Sequence, residues 1–233
     1  MIIQPRRNSR RHLKWPWVLT AFSVAMVAAH VYLRWLSDRP LEYFTHRYGF
    51  VPAETLGALA RLPAAWYDSS LTGLVSALFV HADWLHLVGN LAYLWAFGIT
   101  VERAIGHWGM ALSFLLLGAG ANLFLAWSLQ DVHIPVIGAS SGVSVLIGVY
   151  LGLFPVSRMG LWLPLGLYFQ FARVPAVLVI GSWFTLQLIY SVFGPDSGTV
   201  GWWGHVAGFM AGVLLALCLR LFSLETHLNL QDN

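Results

Sequence analysis

Charged residues are scarce in this chain. Asp, Glu, Lys and Arg make up 10% of its 233 residues, whereas soluble domains average about 25%. Hydrophobic residues make up 58%. This composition excludes an ordinary soluble domain and indicates one compact membrane domain with several spans.

Other absences narrow the range of functions. The single cysteine, Cys218, excludes an intrachain disulfide. There is no H-E-x-x-H motif and no phosphate-cradling loop, and His81 and His86 are five residues apart rather than four. We therefore expect no metal, no cofactor and no nucleotide. The spans lack internal repeats and are almost free of charge, which argues against a small-molecule transporter.

Six apolar segments indicate helices that cross a membrane. The predicted spans are Trp15–Leu33, Trp84–Val101, Trp108–Trp127, Ile137–Pro155, Val174–Phe193 and Trp202–Phe222. The first resembles a signal peptide with a loose cleavage site at Ala28 and Ala29. Its 19 residues, about 28 Å as a helix, favour a retained span instead.

The segments between the spans are predicted to lie at the membrane surface. Prolines break the connection 34–80 into short pieces, which we expect to form interfacial helices. Residues 159–193 are too long for one helix, and Arg173 and Pro175 divide them into an interfacial piece and the fifth span. Polar tails are predicted at residues 1–14 and 223–233.

The basic residues predict the orientation in the membrane. With a cytoplasmic N-terminus, nine of the thirteen Lys and Arg residues lie inside, and the other four lie in the long first loop. The sequence thus predicts an all-α six-helix bundle, residues 15–222, with its N-terminus in the cytoplasm. The basic tail fits anionic lipid better than nucleic acid. The compact form, without an extra domain, favours a bacterial inner membrane over an organelle membrane.

Polar side chains on three spans share one depth in this topology. His86 and Asn90 begin span two, Ser140 and Ser141 open span four, and His205 begins span six, all near the outer face. Serines at a helix start usually cap it, and a lone histidine often only packs. The shared depth favours function, since a nucleophile, a base and oxyanion donors must meet.

The spacing of these residues indicates a chemical role for each of them. His86 and Asn90 share a helix face and both donate hydrogen bonds, which suits an oxyanion site. His205 lies in a run of small residues with Gly204, Gly208 and Gly212, which allows close helix packing. Gly148 on span four is the natural partner, and contact of the two spans would bring His205 to a serine.

Together these motifs resemble the rhomboid family of intramembrane serine proteases, over about residues 42–220. H-A-D-W-L-H-L-V-G-N is similar to the family's H-x-x-x-N, G-I-T-V-E-R-A-I-G to G-x-x-x-E-x-x-x-G, P-V-I-G-A-S-S-G to G-x-S-G, and G-H-V-A-G to the histidine motif. The matching positions are His86, Asn90, Gly98, Glu102, Gly106, Gly138, Ser140, His205 and Gly208. Four motifs in the family's order make the resemblance specific.

One departure leaves two registers for the serine motif. The chain reads G-A-S-S-G, so alignment on Gly138 makes Ser140 the nucleophile, and alignment on Gly142 makes it Ser141. The spacing from Pro135 and to Gly148 favours Ser140.

The resemblance implies a Ser–His dyad without a third acid. Ser140 would attack a peptide carbonyl of a transmembrane substrate, His205 would take its proton, and His86 and Asn90 would hold the oxyanion. Glu102 lies at the opposite membrane face and is expected to be structural, and His81 is expected to support packing. The alternative is an inactive relative that binds membrane clients without cutting them.

Overall fold

The structure, a computed structural model, describes residues 15–229 except residues 38, 63–67, 166–167 and 194–200. The predicted tail 1–14 and the last four residues lie outside this range. The described chain is mostly helical. Its helices are α1 (Trp17–Val31), α2 (Leu41–Tyr48), α3 (Pro52–Ala60), α4 (Ser69–Ser76), α5 (Trp84–Leu112), α6 (Gly118–Ser128), α7 (Ser140–Leu153), α8 (Ala176–Phe193) and α9 (Trp202–Asn229), and its strands are β1 (Arg158–Leu165) and β2 (Tyr168–Pro175).

Four helical stretches of the described chain are long and apolar enough to cross a membrane. They are Trp17–Trp35, Trp84–Ser128, Ala176–Phe193 and Trp202–Phe222. Helix α7 is also apolar but has only 14 residues, fewer than the ~20 that a span requires. The chain is therefore a multi-pass membrane protein.

The 45-residue stretch Trp84–Ser128 is not one straight helix. Gly106 has φ of +78°, a conformation that favours glycine and breaks α5. In a continuous helix Gly98 and Met110 would be about 18 Å apart. A Cβ at Gly98 would instead lie 3.3 Å from Met110 Cε. The chain thus turns back at Gly106.

Glu102 ties the start of α1 to the part of α5 just before the break at Gly106. Its carboxylate, 2% exposed, accepts hydrogen bonds from the backbone N–H groups of Val18 and Leu19, both at 2.9 Å. His107 hydrogen-bonds to the same carboxylate. The first-turn N–H groups of a helix have no partner within it. Glu102 supplies that partner from 84 residues away, and so holds α1 in the bundle.

Helix α7 forms the centre of the molecule. Every residue from Ser141 to Tyr150 is buried. The helix packs closely on α9 as the glycine spacing predicts, because a Cβ at Gly148 would lie 2.1 Å from the Phe209 carbonyl oxygen. A Cβ at Gly208 would lie 2.5 Å from the Ser141 carbonyl oxygen. Only glycine permits these backbones to approach so closely.

The prediction of an all-α chain is wrong between α7 and α8. Residues 158–165 and 168–175 form two paired antiparallel strands, in which Arg158 pairs with Pro175 and Leu165 with Tyr168. Gly160 and Pro164 lie in β1, and both residue types disfavour a helix interior. The predicted fifth span follows β2 directly as α8.

The long first loop supports the segment that precedes α7. It contains the short helices α2, α3 and α4, as predicted from its prolines. Phe50 exchanges two backbone hydrogen bonds with Val136, and the N–H of Gly138 donates to the Ala77 carbonyl at 2.9 Å. The first loop therefore fixes the path of the chain up to Gly138.

Candidate active site

The two adjacent serines follow a turn that requires glycine. Gly138 has φ of +129°, and a Cβ there would lie 2.8 Å from ring atoms of His86. The N-cap of α7 falls on Ala139, and no side-chain hydrogen bond caps the helix at that residue. Ser140 and Ser141 are therefore its first two helical residues, and neither occupies the N-cap position.

The hydroxyls of the two serines have different surroundings. The Ser140 Oγ would be 3.8 Å from a Cβ at Gly138, on the side of that glycine where the His86 ring packs. Ser141 is 3% exposed, and its Oγ would be 2.9 Å from a Cβ at Gly204 of α9. Ser140 is half-buried. The Ser140 hydroxyl therefore faces the start of α5, and that of Ser141 faces the helix interface.

The start of α5 presents an imidazole and an amide one turn apart. The carboxylate of Asp83 caps the helix by accepting from the His86 backbone N–H at 2.8 Å, and this bond holds the pKa of Asp83 below its usual range. The Asn90 Nδ2 donates to the His86 carbonyl at 3.0 Å. A carboxamide has a second N–H, so Asn90 retains donor capacity beyond this bond.

His81 lies behind the serine turn. It is 1% exposed, and its Nε2 accepts a hydrogen bond from the Ala139 N–H at 3.4 Å. Its ring also contacts the His86 ring edge to face, with centroids 5.1 Å apart. Burial, and then the neighbouring His86, lower the pKa of His81 from 6.5 to about 3. His81 is thus a neutral acceptor near neutral pH.

His205 is held from two sides in the first turn of α9. Its Nδ1 is 2.7 Å from Oε1 of Gln187 on α8. The indole of Trp202 meets its ring edge to face at 5.8 Å, and Tyr190 of α8 stacks on that indole at 4.9 Å. His205 is 9% exposed. The imidazole is therefore restrained before any substrate binds.

One cavity of about 970 Å³ brings these side chains together. The predicted site residues that line it are His86, Asn90, Gly138, Ser140, Ser141 and His205. They come from α5, the turn before α7, α7 itself and α9, so the shared depth predicted from the sequence corresponds to a shared space. Within the described residues no group of His, Cys, Asp and Glu side chains is arranged to hold a metal ion.

The other predicted motif residues lie elsewhere. Gly98 packs against α1, since its Cβ would be 2.9 Å from Leu19, and Gly106 makes the turn within α5. Glu102 binds the start of α1. These three residues shape the bundle and hold no position in the cavity lining.

Sequence reasoning missed two buried carboxamides among the residues that line the cavity. Gln187 contacts His205, and the Nδ2 of Asn122 on α6 donates to the Leu74 carbonyl at 2.8 Å. Both are carboxamides within apolar helices and both are buried. A polar residue inside a membrane helix is itself a functional signal, and that signal could have identified both positions.

Comparisons with known proteins bear on the family of this chain. The Rhomboid domain family model matches residues 68–222. The chain is 30% identical over 170 residues to Rhomboid-like protein 11, chloroplastic, of Arabidopsis thaliana, covering 68% of this chain and 54% of that protein. It is 26% identical over 158 residues to Rhomboid protein 1, mitochondrial, of Saccharomyces cerevisiae, covering 64% and 42%. Rhomboid-related protein 2 of Mus musculus is 29% identical over 140 residues, covering 60% and 45%.

Fold and cavity define a multi-pass membrane protein with serine, histidine and amide side chains gathered inside the helix bundle. The chain belongs to the rhomboid family, because the family model covers well over half of its residues. It spans about half the length of the curated relatives it matches.

Proposed function

We propose that the protein is an intramembrane serine endopeptidase that cleaves transmembrane segments of other membrane proteins near the outer face. The observation that carries the proposal is the cavity that Ser140, His205, His86 and Asn90 line together from three helices. Family membership supports it, since rhomboid proteins are typically intramembrane serine proteases.

In this proposal Ser140 is the nucleophile and His205 the general base. His205 takes the hydroxyl proton as Ser140 attacks the scissile carbonyl, and then passes it to the leaving amine. His86, Asn90 and the Ser140 N–H stabilise the oxyanion. The difference in burial supports Ser140 as the nucleophile: Ser140 is half-buried, whereas Ser141 is 3% exposed. A substrate carbonyl can therefore reach the Ser140 hydroxyl more readily.

The membrane topology is part of the proposal. Six spans with a cytoplasmic N-terminus are supported by the reversal at Gly106, which divides Trp84–Ser128 into two passes, and by α7 as a short additional pass. Nine of the thirteen Lys and Arg residues would then face the cytoplasm. We propose the inner membrane of a bacterial cell as its location, with lipid and transmembrane substrates as its partners.

The substrate follows from the chemistry of the site. A peptide bond within a helix is shielded by the helix's own hydrogen bonds and side chains, so the segment must unwind before Ser140 can reach its carbonyl. We therefore expect substrates with helix-breaking residues near the cut, close to the outer membrane face.

The test is cleavage of a model transmembrane substrate in liposomes by wild type, Ser140→Ala, Ser141→Ala and His205→Ala. Loss of about 10³-fold or more in kcat is expected for the Ser140 and His205 variants, with Ser141→Ala largely active. Loss of activity in Ser141→Ala alone would move the nucleophile by one residue. A wild type that bound several substrates and cut none would favour an inactive client-binding protein.

A further inference from the structure

Helix α8 has one buried amide in an otherwise apolar environment. Its 18 residues contain no charged side chain, and the buried members are Ala176, Ile180 and Gln187. Gln187 is 7% exposed, and its Oε1 lies 2.7 Å from Nδ1 of His205. A buried amide within a membrane helix is costly unless it is hydrogen-bonded. This contact therefore ties the amide to the site.

The contact is not needed to hold α8 against α9. Trp183 and Phe184 of α8 both pack on Phe209 of α9, with ring centroids 6.2 and 4.4 Å apart. Tyr190 of α8 stacks on Trp202 of α9. These apolar contacts flank Gln187 on both sides, so a leucine at position 187 would leave the packing largely in place.

The contact with Gln187 determines which ring nitrogen of His205 carries the proton. An amide oxygen accepts hydrogen bonds and cannot donate them. The Nδ1 of His205 must therefore carry the proton, which leaves the Nε2 lone pair free. A general base needs that lone pair directed at the nucleophile's hydroxyl, and a partner on the other ring nitrogen is what sets the tautomer.

We infer that Gln187 is a positioning residue for catalysis, which fixes the tautomer and orientation of His205 in the place where other serine hydrolases use a carboxylate. The inference rests on the proposed function. A neutral partner fits an apolar helix, because a buried carboxylate here would carry a desolvation penalty that the amide avoids. Gln187 need not touch the substrate.

The kinetic test compares Gln187→Leu, Gln187→Glu and the control Ser182→Ala. Ser182 is exposed on α8, and its Oγ donates to the Val179 carbonyl. We expect Gln187→Leu to lower kcat at least 10-fold with KM changed less than about 3-fold, by analogy with loss of other orienting partners. Ser182→Ala should match wild type.

Gln187→Glu restores an acceptor and should recover most of the activity lost in Gln187→Leu. His86 faces the same cavity from α5 and is unchanged in all of these variants. Thermal unfolding checks that any loss of activity in Gln187→Leu occurs in a folded protein. A kcat for Gln187→Leu equal to that of wild type would overturn the inference.

A spectroscopic readout separates this inference from the proposed function. Nitrogen-15 NMR of labelled histidine reports the tautomer whether or not the protein cuts anything, and Ser140→Ala provides a non-cleaving background. We expect the Nδ1–H tautomer for His205 in that background and its loss on adding Gln187→Leu. An Nε2–H tautomer with Gln187 intact would overturn the inference even if the protease activity were established.

Discussion

The buried histidines His205 and His81 differ in the ring nitrogen that must carry a proton. His205 meets an amide oxygen, which requires a protonated Nδ1, whereas His81 meets the Ala139 N–H, which requires a free lone pair on Nε2. His81 can serve as that acceptor because burial keeps its ring neutral. His30, Asp83 and His86 are the titratable groups around it. The serine turn thus depends on the protonation state of a residue outside the proposed dyad.

The state of His81 predicts a pH-dependent stability. Its pKa falls from 6.5 to about 3 on folding, so between these values the unfolded chain binds a proton that the folded chain excludes. Stability should be lost as pH falls below 6.5, by at most about 1.4 kcal/mol per pH unit from this residue. Thermal unfolding in detergent from pH 7 to about 4 measures the slope.

The controls for this slope are His81→Gln and His46→Gln. The glutamine at position 81 retains an acceptor for Ala139 but does not titrate, so the slope should flatten. His46 is exposed on α2, and its substitution should leave the slope as in wild type. An unchanged slope in His81→Gln would contradict the assignment.

At the scale of the helices, α7 and α9 pack so closely that their backbones are in contact. The closest approach is at Gly148 and Gly212, where a Cβ would meet main-chain oxygen at 2.1 and 2.0 Å. Nothing flexible lies at those points, so the helices themselves would have to separate. Ser140 and His205 lie at the starts of these two helices, and their relation depends on this packing.

Gly148→Ala should therefore destabilise the protein and lower its activity. Overpacking of this kind lowers the free energy of unfolding by about 1–3 kcal/mol or more. It also displaces the helix starts that carry Ser140 and His205. Gly120→Ala on α6 is the matched control, since a Cβ there meets no heavy atom within 4 Å. Alanine is favoured over glycine in helices by about 1 kcal/mol, so that control should be neutral or stabilising. Equal unfolding temperatures for both variants would contradict the packing argument.

At the scale of the whole molecule, α7 is shorter than the membrane that it is proposed to cross. The helix has 14 residues, about 21 Å, against a hydrocarbon core of about 30 Å. It is surrounded by other helices, so little of it would contact lipid. A helix screened in this way has no need to match the thickness of the bilayer.

Cysteine labelling tests this crossing and the orientation together. In a Cys218→Ser background, cysteines replace His133 before α7 and Val156 after it, both at exposed positions. A membrane-impermeant maleimide should label position 133 in intact cells and position 156 only after permeabilisation. Labelling of both from one side would show that α7 does not cross, and the reverse pattern would place the N-terminus outside.

Local patterns carried most of what could be predicted. Long apolar runs predicted a helical membrane protein, and the prolines of the first loop predicted its short helices. The glycine spacing on α9 predicted its contact with α7. The same patterns located Ser140 and His205 at helix starts. Each of these features can be predicted from the sequence because it depends on residues that are close together along the chain.

Contacts between distant segments could not be predicted in this way. The pairing of β1 and β2 was missed because an apolar run without a clear period fits a helix or a strand equally well. The capping of α1 by Glu102 joins residues 83 and 84 positions apart, and the partner of His205 lies on a different helix.

The amino-acid sequence by itself thus determined that this is a membrane-embedded helical protein, and it predicted a serine, a histidine and an amide close together in space. Only the tertiary structure decided which serine lies nearer His86, which residue contacts Nδ1 of His205 and where the chain turns back. The reason is physical. Periodicity and composition act along the chain, whereas hydrogen-bond partners inside a membrane bundle are selected by which buried polar groups the packing brings within about 3 Å.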